Sequence, residues 1–237
     1  MLDLIGAMVL GAVIALNITA IGAAISARPA LRFAVPMVAG AWTGLAAAAA
    51  AAGSFANTAA PFPVIGVFVA LPLIAAAGAA LLVPAARAAL LAIPISLLIG
   101  LNIARAVGGF FLLLALAGRL GGPFPQSAGW GDVIVGVLAA AFVAGGASRD
   151  RAIWLWNAFG TLDLVAAVTL GVVSANGSAL QLVHAGTGSA AVQVLPWSLI
   201  PTVLVPFYLI THGIIFGQLR EANRVGRESA APPAVAT

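Results

Sequence analysis

Seven apolar runs divide this 237-residue chain, and each can cross the roughly 30 Å hydrocarbon core of a bilayer as a helix. Lipid offers no hydrogen-bond partners to a backbone, so such runs fold as helices that satisfy their own peptide groups. The sequence therefore predicts an all-α integral membrane protein, a seven-transmembrane-helix bundle forming one domain over residues 1–227. The predicted spans are residues 4–26, 33–53, 62–83, 97–118, 130–147, 153–175 and 197–219. Residues 228–237 are expected to form a short disordered cytoplasmic tail.

The composition agrees with a membrane location and excludes several classes of protein. Hydrophobic residues make up 63% of the chain and charged residues 7%, and the mean hydropathy is +1.16, far from the values of soluble domains. The net charge of +4 comes from arginines in short loops between apolar runs, which favours a lipid bilayer over nucleic acid as the partner. Without lysine the chain cannot bind retinal through a Schiff base, and without cysteine it has no thiolate metal ligand.

The arginines predict the orientation of the bundle. If the spans alternate, eight arginines fall on one side of the membrane and only Arg119 falls on the other. The positive-inside rule makes the richer side cytoplasmic, so the N-terminus is expected outside and the C-terminus inside, as in a bacterial cytoplasmic (inner) membrane protein. The eight are Arg28, Arg32, Arg87, Arg149, Arg151, Arg220, Arg224 and Arg227.

A weak internal similarity suggests a repeat. Spans one and five begin with DLIGAMVLG and DVIVGVLAA, and spans three and seven each carry a proline at the start and another midway. This pattern would suit a 3+1+3 parallel repeat, in which three helices, a linking helix and three further helices follow one another.

An arginine, an aspartate and a histidine fall well inside the predicted spans, away from their ends: Arg105, Asp163 and His212. A charge in mid-membrane costs about 2.5 to 3.5 kcal/mol on insertion scales, so each such residue is a candidate for function. Arg105 cannot lose its proton, so its positive charge must be compensated by another group. If its span is α-helical, Asn102 shares its face and Gly109 lies close by, so that a neighbouring helix can approach.

These residues predict one buried polar site in the inner half of the membrane, among spans four, six and seven. We expect Arg105 to pair with Asp163, flanked by Asn157, Asn102, Tyr208 and His212. In the functional interpretation, Asp163 and His212 titrate within a small-solute or proton transporter or channel, while Arg105 sets the local field. In the alternative interpretation, the ion pair is structural, and the protein is a non-catalytic subunit or assembly factor with membrane partner subunits or a homo-oligomer.

Asp132 allows two further interpretations. The segment Gly129-Trp130-Gly131-Asp132 fits the GxGD pattern of intramembrane aspartyl proteases, with Asp163 as a conceivable second carboxylate. Four residues are a weak match, and the other markers of those families are missing. The favoured expectation is that Asp132 caps the outer N-terminus of span five, where the helix dipole stabilises an anion. An enzyme is therefore the less favoured class.

The two histidines limit the cofactors. His184 lies in an outer loop and His212 in the inner third of span seven, so they should not hold one iron between them. No cofactor and no metal site is predicted, and haem bound through His212 alone is a remote alternative.

Overall fold

The computed structural model describes residues 1–25, 29–58, 60, 62–146 and 150–230, and it confirms a helical bundle with seven spans. Seven helical segments of the described residues are long and apolar enough to cross a membrane, and these residues contain no strand. The fourth segment, Ile95–Leu116, joins two of the α-helices named next, and the short α4 does not span. The helices are α1 (Leu2–Ala24), α2 (Pro29–Ala51), α3 (Val64–Leu82), α4 (Pro84–Leu91), α5 (Ile95–Leu101), α6 (Gly109–Leu116), α7 (Phe124–Ala144), α8 (Asp150–Val173) and α9 (Val205–Ala230).

Several helix boundaries differ from the sequence prediction, and two of these differences are the most informative. Helix α7 begins at Phe124 rather than at residue 130, because Pro125 lies in its first turn, where a missing N–H costs nothing. Helix α9 continues to Ala230, so residues 228–230 are helical rather than part of a tail, and residues 231–237 lie outside the described part of the chain. The single-domain boundary, the membrane orientation and the internal repeat stay predictions.

The fourth span is not a continuous α-helix. Between α5 and α6, residues Asn102–Gly108 form a 3₁₀ helix, in which side chains three positions apart are eclipsed. Asn102, Arg105 and Gly108 are therefore aligned, and all three are buried. In this 3₁₀ geometry Gly108 rather than Gly109 is aligned with Arg105, and α7 approaches the fourth span at both glycines.

The seventh span begins with another irregularity, a π-helical turn over Ile200–Leu204 that leads into α9. Pro206 has no N–H, so it cannot donate a hydrogen bond to the carbonyl of Thr202 as an α-helical residue would. The indole Nε1 of Trp42 donates to that carbonyl instead, at 2.9 Å. Helix α2 thus supplies a hydrogen bond to a backbone carbonyl for which Pro206 has no N–H to offer.

Ion pairs mark the two ends of the bundle. At one end, Arg119 Nη1 donates to Asp3 Oδ1 at 2.6 Å, and Trp197 Nε1 donates to the same oxygen at 2.6 Å. At the other end, Arg87 lies 3.8 Å from a carboxylate oxygen of Glu221. Arg119 is thereby separated from Arg87 by the length of the bundle, as alternating spans require.

The packing of α1 against Trp197 gives a test of this architecture. A Cβ built on Gly6 would overlap the indole of Trp197, whereas a Cβ on Gly11 meets nothing within 4 Å. We expect Gly6→Ala to lower the free energy of unfolding by about 1 to 3 kcal/mol, as overpacking does. Thermal unfolding in detergent, followed by tryptophan fluorescence, measures the change.

Gly11→Ala is the matched control, because both substitutions add the same methyl group to the same helix and gain the same helix propensity. Equal midpoints for the two variants would contradict the contact between α1 and Trp197.

Candidate functional site

The guanidinium of Arg105 lies at the centre of the bundle and is fully buried. Its Nε donates to Asp132 Oδ1 at 2.7 Å, and its Nη2 donates to Asp163 Oδ2 at 2.5 Å. Its Nη1 lies 3.1 Å from the carbonyl oxygen of Gly160 and 3.1 Å from His212 Nε2. Four elements therefore meet at one side chain: the 3₁₀ helix, α7, α8 and α9. We call Arg105, Asp132, Asp163 and His212 the Arg105 cluster.

The contact with Arg105 fixes the form of the His212 ring. A guanidinium only donates, so His212 Nε2 must be an acceptor, and the ring proton then lies on Nδ1. Nδ1 lies 2.7 Å from Asn157 Oδ1, and Asn157 Nδ2 donates to the backbone carbonyl of His212 at 3.0 Å. His212 is thus a neutral imidazole that is held between Arg105 and Asn157.

Glycines make the space that the Arg105 cluster occupies. A Cβ on Gly108 would overlap the carboxylate of Asp132, and a Cβ on Gly131 would overlap that of Asp163. A Cβ on Gly160 would press against the His212 ring and Arg105 Nη1. Close approach of helices at small residues is a common way to pack membrane bundles, and here it brings the carboxylates within reach of the guanidinium.

Asn102 and Tyr208 lie beside the cluster. Asn102 Nδ2 donates to the carbonyl of Leu98 at 2.9 Å and lies 3.4 Å from Thr211 Oγ1. The ring centroid of Tyr208 is 6.0 Å from the guanidinium carbon of Arg105, and its hydroxyl accepts a hydrogen bond from Asn17 Nδ2 at 3.2 Å. The five residues that the sequence singled out around Arg105 therefore lie close to it, although their roles stay predictions.

Asp132 is not the helix cap that the sequence favoured. It lies more than two turns into α7 and is 7% exposed. The wrong start for span five placed it in the first turn, and so its contact with Arg105 was missed. The glycines around it were the available signal, because Gly129 packs against Leu112 while Gly131 lies against Asp163.

The position of the guanidinium also bears on the GxGD interpretation. In aspartic proteases two carboxylates share a proton between them. Here the guanidinium of Arg105 lies between Asp132 and Asp163 and binds one oxygen of each. This arrangement does not favour proteolysis.

The charges of the cluster do not balance. One guanidinium faces two carboxylates, and His212 is neutral, so ionised carboxylates leave a net charge of −1. Each carboxylate also keeps one oxygen, Asp132 Oδ2 and Asp163 Oδ1, without a hydrogen-bond partner among the described residues. Buried charge that is not compensated is costly, so the cluster favours the binding of a proton or a cation.

A cleft leads from the end of the bundle near Asn176 to Asp132. It runs between α3 and α8, which contribute Ile65 and Val69 on one side and Leu164 and Val168 on the other. Its volume is about 860 Å³, counted with the open mouth. We call it the α3–α8 cleft. One end of the Arg105 cluster is therefore reached from outside the bundle.

The described residues show no group of three or more His, Cys, Asp or Glu side chains that could hold a metal ion. Both ring nitrogens of His212 are hydrogen bonded, so an iron atom would have to displace Arg105 or Asn157 to bind there. A Soret band in the absorption spectrum of the purified protein would reveal haem.

These features define a polytopic helical membrane protein with a buried arginine and two carboxylates at its centre. Residues 62–220 match the model of a family described as Domain of unknown function (DUF8737), and because this match covers more than half of the chain, the protein belongs to that family. Among the described residues, the side chains that form hydrogen bonds or ion pairs with Arg105 all lie in the matched segment. No curated protein and no solved structure matches the chain.

Removal of Arg105 should be among the most damaging single changes in the bundle. Arg105→Ala leaves two buried carboxylates unpaired, and loss of one partner of a buried ion pair costs about 3 to 5 kcal/mol. Arg105→Gln combined with Asp132→Asn and Asp163→Asn removes every charge and should recover much of this loss. Unfolding in mixed detergent micelles compares the two variants, and a single variant at least as stable as the triple one would refute the arrangement.

Proposed function

We propose that this protein is a transporter or channel that moves a small solute or protons across the membrane through the Arg105 cluster. The convergence of four elements on a buried, unbalanced set of charges is the observation that carries the proposal. The 3₁₀ helix of the fourth span and the π-helical turn of the seventh support it, because interrupted helices commonly form the binding sites of transporters. The expected location is a bacterial inner membrane.

Each residue of the Arg105 cluster would have a different role in transport. Arg105 keeps its proton and serves as the fixed positive charge. Asp132 and Asp163 each accept a hydrogen bond from Arg105 with one oxygen and have the other oxygen free, so either can take up a proton or a cation there while the hydrogen bond to Arg105 stays in place. His212 is neutral and can accept a proton only when its Nε2 leaves Arg105, which couples its protonation to movement of α9 against the 3₁₀ helix.

Proton flux into proteoliposomes tests this proposal. Liposomes that contain a pH-sensitive dye receive a membrane potential from a potassium gradient and valinomycin, and dye fluorescence reports proton entry. Asp132→Asn and Asp163→Asn should reduce the flux to that of protein-free liposomes while insertion stays intact, because the neutral amides cannot carry the proton. Arg105→Ala should abolish flux as well, but with loss of stability.

Glu221→Gln is the control, since it makes the same chemical change in a carboxylate at the end of the bundle. In parallel, mass spectrometry of liposome contents after incubation with a cell extract reports solute uptake. Wild-type protein that moves neither protons nor any solute, or Asn variants that transport like wild type, would contradict the proposal.

A structural cluster in a subunit of a larger complex is the second candidate. The observation that favours it is the satisfaction of Arg105, each of whose three guanidinium nitrogens makes at least one hydrogen bond. It predicts that native extraction recovers a stable larger complex and that Asp132→Asn lowers folded yield without any transport to lose. Solitary, fully active protein would exclude it.

A further inference from the structure

The α3–α8 cleft combines apolar walls with a single charge. Ile65, Val69, Leu164 and Val168 line its sides, and amide and hydroxyl side chains such as Asn57 and Thr58 lie near its mouth. Asp132 is the only ionisable residue among the described residues that line it. A molecule that enters the cleft therefore meets apolar surface along its length and a carboxylate at the inner end.

Asp132 has one carboxylate oxygen that is free to bind a further partner. It is 7% exposed, and its Oδ1 accepts a hydrogen bond from Arg105 while its Oδ2 has no partner among the described residues. Both carboxylates of the cluster are held by one guanidinium, so an anion in the cleft would meet an excess of negative charge. A cation would compensate that charge in surroundings where electrostatic attraction is weakly screened.

We infer that the α3–α8 cleft binds a small organic cation with an apolar body, whose charged group lies against Asp132. Apolar walls with a few placed polar groups are typical of small-molecule sites, and the walls of this cleft are apolar with Asp132 at the inner end. This inference rests on the proposed function, for which the cation is the transported substrate.

A pair of isosteric probes separates charge from hydrophobicity. Phenyltrimethylammonium and tert-butylbenzene have the same shape, but only the first is charged, and it can neither titrate nor donate a classical hydrogen bond. We expect radiolabelled phenyltrimethylammonium to bind purified protein in detergent, and a tenfold excess of tert-butylbenzene to leave most of it bound. Benzenesulfonate, an anion of similar size, should not compete.

Two variants test the two parts of the site. Asp132→Asn should weaken binding of phenyltrimethylammonium at least tenfold, because the excess charge is removed while the shape of the side chain is kept. Val168→Trp should block binding by filling the cleft without touching the cluster. Its control is Val165→Trp on the same helix, where the side chain is 50% exposed away from the core and binding should be unchanged.

The outcomes distinguish this inference from the proposed function. Proton flux that depends on Asp132, without binding of phenyltrimethylammonium, would overturn the substrate class and leave transport standing. Binding that depends on Asp132, without any flux, would support the site and overturn transport. Equal binding of both isosteres, or binding that Asp132→Asn does not weaken, would identify the cleft as an apolar gap for lipid chains and overturn the inference.

Discussion

The permanent charge of Arg105 is the constraint on which this bundle depends. A guanidinium in a bilayer interior cannot become neutral, so the surrounding helices must supply acceptors at fixed distances. Asp132, Asp163, His212 and the carbonyl of Gly160 do so. Since these acceptors come from three helices, one side chain sets the register of α7, α8 and α9 relative to the fourth span. The glycines opposite the carboxylates follow from the same requirement.

The second carboxylate separates this cluster from a simple structural ion pair. One acid would neutralise Arg105, and an additional buried acid adds a desolvation penalty that the guanidinium must share. Such an excess is retained at a cost to stability unless another positive species is present for part of the time. The unpartnered oxygens of both carboxylates and the cleft that reaches Asp132 offer a place and an entry for that species.

The sequence predicted the class of fold well because lipid leaves a backbone few alternatives. Run lengths alone predicted seven spans. The hydrophobic pattern could not predict which spans are in contact, since any face of an apolar helix can pack against a neighbour. Asp163 and His212 were expected near Arg105 from their depth. The contact of Asp132 with Arg105 was missed because the segment before Asp132 includes the polar residues Gln126 and Ser127 and was not assigned to a span. The 3₁₀ helix could not be predicted because its composition is not distinctive.

The partners of Trp42 and Asn17 bear on where the folding unit ends. The family model begins at residue 62, after the first two spans. Yet Trp42 of α2 supplies the hydrogen bond to the carbonyl of Thr202, Asn17 of α1 binds the hydroxyl of Tyr208, and Gly6 of α1 receives the indole of Trp197. In a bilayer no water could replace these donors. Helices α1 and α2 thus contribute hydrogen bonds and packing to the matched segment, and a chain that carries the segment without them lacks these contacts.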